Sequence, residues 1–341
     1  MAYAHQVGGH AATILASPLS SSTLIKPASA RELAFYSQLG PALDDGHFVG
    51  EWTPAFYGTL RLEGKVGAEG GIDKLDTAGD EAGEVEPEMI VLENLTYRFL
   101  HPNVLDIKLG TQLFDEDASD EKKERMRKAA EATTSAETGV RLTGFQVWDA
   151  ATQAYVPTAK PFGKSLEVEE LALGIARFFY PPLSPPSRAE QATSFSSSPA
   201  PVPRALPLDL LLPVLRTLTR RLDSLIALWS TLPLRMRGGS LLIVVEGDPA
   251  ALEAALLRAA APDSEVDDDG ESVSTTDDEG NAKEHTLLPF EMRLIDFAHT
   301  RGLLPGEEGP DEGVLLGLRT TKKLIDDLVT HLEEKQRNGD E

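Results

Sequence analysis

The chain has 341 residues, 55 Asp and Glu against 32 Lys and Arg, a formal net charge of −23 and no cysteine. Without cysteine it can form neither disulfides nor thiolate metal sites, and no apolar run approaches the ~18 residues of a membrane span. The length predicts roughly two domains or lobes, and the 41% of residues that are hydrophobic are ample for a core.

The negative charge is concentrated in two segments. Residues 261–281 contain nine acids and no Lys or Arg, and residues 63–88 contain nine acids and two lysines. Exposed charges interact weakly beyond a Debye length, about 8 Å at physiological salt. A local basic pocket for a polyanionic substrate is therefore compatible with the negative total. The amino terminus has no basic segment followed by an apolar core, so we expect no signal peptide.

The first 40 residues predict a β-hairpin-like opening followed by a helix that begins near Ala30. Lys26 lies at the end of a short extended run, and Pro27 keeps it out of a helix. The pair Gly8-Gly9 permits a close approach of the backbone to a ligand.

A loop and a strand then divide the chain into two lobes. Residues 61–88 are rich in glycine and acids with little apolar periodicity, which predicts an acidic insertion. Residues 89–95 predict a strand that runs into a connector. We therefore expect an N-lobe over 1–95 and a larger C-lobe over 96–341.

The C-lobe pattern predicts mixed helices and strands. Helical spacing marks residues 119–131, 166–179, 208–232 and 311–336, whereas strand patterns mark 102–110, 141–148, 240–246 and 292–296. Pro213 either kinks the third helix or marks its true start. A flexible insertion is predicted over 181–207, which holds eight prolines and six serines, and a second, acidic one over 261–286.

The segment Pro-Asn-Val-Leu-Asp-Ile-Lys-Leu-Gly, residues 102–110, carries the first chemical signal. In an extended strand, Asp106 and Lys108 project to the same face. A carboxylate can orient a hydroxyl there while an amine holds an anion, which suits phosphoryl transfer to an alcohol. A buried strand that ends in a turn is the structural alternative.

A second segment, residues 292–300, is an apolar strand that ends in Asp296, followed by an aromatic and a small residue. In kinase-like folds, a carboxylate at the end of a buried strand holds the magnesium bound to the nucleotide. Asp296 could instead be a simple turn former. The chain contains no Gly-x-x-x-x-Gly-Lys-Ser/Thr sequence, which disfavours a P-loop kinase.

A basic helix follows the first segment. At 100° per residue, Lys122, Arg125 and Lys128 lie within a ~120° arc, and Lys123 lies on an adjacent face. A polyphosphate needs several such donors, because each exposed ion pair contributes only ~0–1 kcal/mol. A solvated helix face or a basic nuclear-import patch are the alternatives.

These motifs resemble the inositol polyphosphate kinase family, whose signature is Pro-x-x-x-Asp-x-Lys-x-Gly with a downstream Ile-Asp-Phe-Ala. The chain is most similar to the fungal multikinase branch, and the resemblance covers nearly its whole length apart from the insertions. Two departures are Asn94, where the family often has Asp, and Gly238-Gly239-Ser240-Leu241-Leu242 in place of a more serine-rich run. Further matching segments are His5-Gln6-Val7-Gly8-Gly9-His10, Leu24-Ile25-Lys26-Pro27, Arg31-Glu32-Leu33-Ala34-Phe35-Tyr36, Leu92-Glu93-Asn94-Leu95-Thr96, 139–148, Phe162-Gly163-Lys164-Ser165-Leu166 and Gly309-Pro310-Asp311-Glu312-Gly313.

The resemblance implies an α+β, two-lobed, kinase-like fold with an antiparallel N-lobe sheet and ATP between the lobes. For the nucleotide, it implies that Lys26 contacts the phosphates and pairs with Glu32 across the strand-to-helix turn. Backbone groups of Glu93 and Leu95 would contact the adenine. Asp296 would bind Mg²⁺.

The resemblance also implies the groups that handle the acceptor. Asp106 would orient the attacking hydroxyl or help to hold the metal, and Lys108 would grip the substrate or the transferring phosphoryl group. His299 would donate to a substrate phosphate, and Lys160 and Lys164 would lie at the pocket rim. The basic helix would complete the substrate site through Lys122, Lys123, Arg125 and Lys128.

The implied activity is ATP-dependent phosphorylation of inositol trisphosphate and tetrakisphosphate in the nucleus and cytoplasm. An inositol hexakisphosphate kinase and an inositol trisphosphate 3-kinase are the alternatives within the family. A phosphoinositide lipid is a further candidate substrate, whereas direct nucleic-acid binding is not expected. From a different class, the chain could act mainly as a scaffold in a nuclear transcription complex, with acidic residues 261–281 docking basic partners.

Overall fold

In the computed structural model, the chain forms two lobes that share one hydrophobic core. The structure describes residues 3–7, 14–18, 20–43, 46–60, 65–66, 72–73, 88–158, 160–183, 202–260 and 288–339. The predicted acidic insertion at 261–286 lies outside these residues, as does Gly8-Gly9. No helix among the described residues is long and apolar enough to cross a membrane.

The N-lobe is built on a four-stranded antiparallel sheet in the order β1-β2-β6-β3. Its strands are β1 (Leu15–Ala16), β2 (Thr23–Pro27), β3 (Phe56–Leu60) and β6 (Met89–Glu93). The first two form the predicted hairpin. Within the predicted insertion 61–88, β4 (Lys65–Val66) and β5 (Ile72–Asp73) pair as a short ribbon, and most other residues of that segment lie outside the described ones.

Helical segments connect β2 to β3. Helix α1 (Ala30–Ala34) begins where the side chain of Ser29 accepts a hydrogen bond from the Glu32 amide, a standard N-cap. A π-helical segment (Phe35–Leu39) and a 3-10 turn (Gly40–Ala42) follow, and then α2 (His47–Trp52).

The C-lobe contains a five-stranded antiparallel sheet in the order β12-β11-β7-β8-β9. Its strands are β7 (Pro102–Leu109), β8 (Val140–Asp149), β9 (Ala154–Thr158), β11 (Ser240–Glu246) and β12 (Phe290–Ile295), and a separate pair is formed by β10 (Leu234–Met236) and β13 (Thr300–Gly302). The segment that carries the first motif is thus the central strand, β7.

Helices surround this sheet. They are α3 (Asp120–Glu131), α4 (Ser135–Thr138), α5 (Lys160–Ser165), α6 (Leu171–Phe179), α7 (Leu208–Trp229), α8 (Pro249–Ala260) and α9 (Glu312–Asn338), with 3-10 turns at Val168–Glu170 and Pro181–Leu183. The two longest, α7 and α9, pack against each other.

Several predicted boundaries differ from the structure. Pro213 lies inside α7 rather than at its start, because leucines before and after it are buried in the core and their packing outweighs one lost backbone hydrogen bond. The predicted helix 166–179 begins with a 3-10 turn. The ends of the predicted insertion 181–207 are part of the fold, since Pro181 and Leu206 are buried.

Candidate functional site

The central strand β7 presents Asp106 and Lys108 to a cavity on one face of the sheet. Asp106 pairs in register with Leu242 of β11, and Lys108 pairs with Ser240 on one side and Arg141 on the other. Directly opposed residues of antiparallel strands project to the same face. One face of the sheet therefore collects the first motif and groups from both neighbouring strands.

A cavity of about 350 Å³ opens on this face, and both predicted carboxylates line it. Asp106 and Asp296 thus meet at one site although they are far apart in sequence. The complete lining is Asp106, Lys108, Arg141, Leu142, Thr143, Lys160, Lys164, Ser240 and Asp296. A β-bulge between β7 and β8 adds Thr143 to this face, because Asp106 pairs with Gly144 while Ile107 pairs with Leu142.

Asp106 is buried with one unsatisfied carboxylate oxygen. Its Oδ1 has no hydrogen-bond partner among the described residues. Burial, reinforced by the nearby charge of Asp296, raises the pKa of Asp106 to about 6, although a hydrogen bond with Ser240 opposes the shift. A buried carboxylate with a free oxygen and a raised pKa is suited to accept a hydrogen bond from a substrate hydroxyl.

Lys108 lies beside this carboxylate. Its Nζ donates a hydrogen bond to the carbonyl oxygen of Gly238 at 2.6 Å, and Gly238 has a φ of 66° that favours glycine. Burial lowers the pKa of Lys108, whereas Asp106 and Asp296 act in the opposite direction. Glycine at 238 therefore permits the backbone conformation in which this carbonyl accepts a hydrogen bond from Lys108.

Lys26 reaches across from the N-lobe to the metal-side carboxylate. Its Nζ lies 2.9 Å from Glu32 Oε1 and 2.6 Å from Asp296 Oδ1, which gives the predicted pairing of Lys26 with Glu32. Burial alone would lower the pKa of Lys26, but Asp296 and Glu32 outweigh it and raise that pKa. Desolvation alone would raise the pKa of Asp296, whose side chain is partly exposed, but the nearby Lys26 outweighs it and lowers that pKa. Burial raises the pKa of Glu32.

The carboxylates at the cavity fit a divalent cation that is shared with a phosphate ligand. Among the described residues, no group of three or more His, Cys, Asp or Glu side chains could hold a metal by itself. Hard cations such as Mg²⁺ take oxygen ligands, commonly one or two carboxylates together with phosphates and water. The backbone of Asp296, at φ 65°, is in the left-handed region that Asp tolerates better than most residues. Two carboxylates at one cavity are therefore compatible with a metal ion that a nucleotide also binds.

Comparison with known proteins assigns this arrangement to a family. Residues 89–326 match the family model for inositol polyphosphate kinase. The chain belongs to the inositol polyphosphate kinase family. It is 29% identical to the inositol polyphosphate multikinase of Saccharomyces cerevisiae over 93% of this chain and 95% of that protein.

Two further matches concern the branch of the family to which the chain is similar and the fold that it adopts. The chain is 30% identical to inositol hexakisphosphate kinase 2 of Rattus norvegicus. That match covers 73% of this chain but only 52% of the rat protein. A crystal structure of the S. cerevisiae inositol phosphate multikinase in complex with ADP and Mn²⁺ superposes with a TM-score of 0.60 and 26% identity, over 90% of this chain and 99% of that one. The predicted two-lobed kinase fold is thereby confirmed.

This inositol polyphosphate kinase carries four cationic side chains in its cavity wall. Lys108 and Lys164 were predicted site residues, and Lys160 was predicted at the rim. Sequence reasoning missed Arg141 as a site residue, along with Thr143 and Ser240. The available signal was the placement of Arg141 at the start of the predicted strand 141–148. The register that sets it opposite Lys108 depends on long-range pairing.

The predicted substrate helix forms, but its basic residues do not line this cavity. Helix α3 is capped by Ser119, whose side chain accepts from the Lys122 amide. Lys128 lies 3.3 Å from Glu124 on the same helix. Lys122, Lys123 and Arg125 have no salt bridge with any residue that the structure describes. The assignment of these four residues to substrate binding stays a prediction.

His299 and the connector residues have other partners. His299 Nδ1 lies 2.5 Å from Asp115 Oδ2, outside the cavity lining. Glu93 accepts a hydrogen bond from the Ala55 amide at 3.1 Å, and Leu95 is buried. Asn94, the departure from the family pattern, accepts from the hydroxyl of Tyr3 and so ties the amino-terminal segment to the connector. The adenine contacts of Glu93 and Leu95, and the phosphate contact of His299, stay predictions.

Proposed function

We propose that this kinase transfers the γ-phosphate of ATP to hydroxyl groups of inositol trisphosphate and tetrakisphosphate. The observation that carries the proposal is one cavity in which Asp106 and Asp296 meet four cationic side chains, those of Lys108, Arg141, Lys160 and Lys164. Two carboxylates suit the hydroxyl and the metal, and several cations suit an acceptor that already bears phosphates.

The nucleotide side of the proposed site is formed by the pair that crosses the cleft. Lys26 would contact the phosphates of ATP, and Glu32 would hold the lysine in place from helix α1. Asp296 would hold Mg²⁺, which supplies charge neutralisation at the β- and γ-phosphates when it is bound. Connector residues Glu93 and Leu95 would contact the adenine through their backbone groups.

Residues on β7 would form the part of the site that binds the phosphate acceptor, the inositol phosphate. Asp106 would orient the attacking hydroxyl, and Lys108 would neutralise charge on the transferring phosphoryl group. As the bond to the β-phosphate oxygen breaks, the bond to the hydroxyl oxygen forms, and the hydroxyl proton leaves late toward Asp106. In such a loose transition state, positioning and charge neutralisation dominate over early proton removal.

The multikinase branch is supported by the extent of the similarity. The match to the yeast multikinase extends over 95% of that protein, whereas the chain spans 52% of the rat hexakisphosphate kinase. We therefore favour trisphosphate and tetrakisphosphate over hexakisphosphate as substrates. The same cavity chemistry would also suit a phosphoinositide headgroup, so lipid belongs in the substrate panel.

The proposal is tested by incubating the protein with ATP, Mg²⁺ and a panel of inositol phosphates and a phosphoinositide lipid, with products resolved by isomer. We expect the trisphosphate to be consumed and the hexakisphosphate to persist. Asp106→Asn should remove turnover while ADP binding continues. Conversion of hexakisphosphate to a pyrophosphate, at a rate comparable to that of trisphosphate phosphorylation, would instead assign the chain to the inositol hexakisphosphate kinases. Turnover of none of the panel by a protein that binds ADP would reject the proposal.

A further inference from the structure

Asp115 joins the two lobes at a point outside the cavity. It lies in the segment between β7 and α3 and is only 7% exposed. Its Oδ1 is 3.1 Å from the Arg31 guanidinium, and its Oδ2 is 2.5 Å from Nδ1 of His299. One buried carboxylate thus contacts the N-lobe helix α1 and the turn that follows β12.

Both partners of Asp115, Arg31 and His299, lie close in sequence to predicted site residues. Arg31 immediately precedes Glu32, the residue that pairs with Lys26. His299 is three residues after Asp296, the carboxylate that Lys26 also contacts. Lys26 links Glu32 to Asp296. Asp115 therefore contacts one residue near each of these two carboxylates. Because Asp115 does not line the cavity, it acts on the reaction only through these neighbours.

The same segment leads into the basic helix. Ser119, the N-cap of α3, follows Asp115 closely and fixes where that helix begins. Asp117 offers Arg31 a second carboxylate at 3.0 Å, but its side chain is 71% exposed. Charge-assisted bonds to a buried carboxylate are strong and directional, whereas an exposed pair contributes little. Of the two acids, Asp115 is the one able to fix geometry.

We propose that Asp115 is a positioning residue that aligns helix α1 and the Asp296 turn for phosphoryl transfer. By holding Arg31, it sets the orientation of Glu32 and hence of Lys26. By holding His299, it sets the turn that carries the metal-side carboxylate. The inference rests on the proposed function for its turnover measurement, although the nucleotide-binding measurement is independent of the acceptor.

The experiment compares Asp115→Asn with Asp117→Asn, a matched loss of one carboxylate charge on the same segment. Turnover and ADP affinity are measured per folded molecule, at a temperature well below the melting midpoint of each variant. We expect Asp115→Asn to lower kcat/KM by about tenfold or more and to weaken ADP binding several-fold. Asp117→Asn should change either quantity by less than about fivefold.

A double-mutant cycle, read together with the melting temperature, separates a positioning role of Asp115 from a role in stability alone. Asp115→Asn and His299→Gln both alter the contact between Asp115 and His299, so their effects on kcat/KM should combine less than additively. The inference is overturned if Asp115→Asn matches the wild type in both readouts. It is also overturned if the variant only lowers the melting temperature while kcat, KM and ADP affinity per folded molecule are unchanged. Failure of the wild type to phosphorylate any inositol phosphate would reject the proposed function, and ADP affinity would then decide the role of Asp115.

Discussion

At the scale of single residues, we expect the protonation of Asp106 to set the acidic limit of activity. Its pKa is raised to about 6 by burial, and we expect the transfer to need the ionised carboxylate. At saturating substrates, kcat should therefore fall about tenfold per pH unit below pH 6. A kcat profile between pH 4.5 and 8 measures this, with inositol phosphate affinity determined in the same buffers to separate titration of the substrate. An acidic limb near pH 4 would contradict the assignment.

The same burial predicts a conflict between activity and stability at this residue. Because the pKa of Asp106 is higher in the folded protein than in the unfolded chain, ionisation destabilises the fold as pH rises from about 4 through 6. Asp106→Asn should therefore be inactive yet more stable, by roughly 1–3 kcal/mol at pH 8 and by almost nothing at pH 4. Denaturant unfolding at both values measures the difference. Asp117→Asn should show no gain, since Arg31 lowers the pKa of that exposed carboxyl.

Which site residues could be predicted depended on whether their signal was local. Asp106 and Lys108 could be assigned to one face because strand alternation is a property of neighbouring residues. The pairing of Lys26 with Glu32 crosses only one strand-to-helix turn and was also predicted. Arg141 and Ser240 were missed because their place in the cavity depends on the register of β8 and β11 against β7.

At the scale of elements, the packing of α9 against the sheet depends on two glycines that touch. The amide nitrogen of Gly317 lies 2.6 Å from where a Cβ at Gly139 would be, and a Cβ at Gly317 would meet the Gly139 carbonyl. Gly317→Ala should therefore destabilise the fold by about 1–3 kcal/mol, because both clashing groups are backbone.

A matched glycine in another helix supplies the control for this prediction. A methyl group added at Gly50 in α2 would have nothing within 4 Å of it. Gly50→Ala should be neutral or stabilising by up to about 1 kcal/mol, because alanine loses less backbone entropy on folding. Chemical denaturation of both variants measures the contrast. Equal stabilities would mean that α9 does not approach the sheet this closely.

Helix α3 carries a prediction about the acceptor. Lys128 and Arg127 both contact Glu124, so Lys128 is partly neutralised on its own helix. Lys122→Ala and Arg125→Ala should each raise the KM for the inositol phosphate by up to about fivefold and leave the KM for ATP unchanged. Lys128→Ala should have the smaller effect. Equal KM values for wild type and the Lys122/Arg125 double variant would exclude α3 from the substrate site.

Long periodic elements could be predicted closely, whereas irregular ones could not. The strand at Ser240–Glu246 has the predicted bounds, and α3 begins one residue after the predicted start at residue 119. Tertiary packing decided the exceptions. Pro213 is accommodated in α7 because leucines on both sides of it are buried, and the 3-10 turn at Val168–Glu170 is closed by a reciprocal bond between Glu167 and Glu170.

At the scale of the whole molecule, contacts across the cleft hold the lobes in one arrangement. Phe35 of the N-lobe stacks on Phe297 with ring centroids 3.8 Å apart. Arg221 of α7 pairs with Glu51 of α2 at 2.7 Å and lies over the ring of Trp52. Together with Lys26 and Asp296, these contacts link both sides of the proposed nucleotide site to a continuous core.

The negative charge of the whole chain predicts that the KM for anionic substrates depends on salt concentration, in a way that the cavity residues alone would not predict. Deletion of residues 263–279 removes nine acids and no Lys or Arg, which changes the formal net charge from −23 to −14. At about 0.15 M salt the Debye length is about 8 Å, so acids farther than this from the cavity should barely affect a polyanion bound there. At about 0.01 M it is about 30 Å, and their repulsion should reach the site.

We therefore expect the deletion variant to match the wild-type KM for the inositol phosphate at 0.15 M salt and to show a several-fold lower KM at 0.01 M. Because ATP is also an anion, its KM should shift in the same direction. A neutral-sequence replacement of the same length controls for the shortened connection. If the deletion removes turnover at both ionic strengths while the melting temperature is unchanged, residues 263–279 contribute to catalysis rather than only to the field around the site.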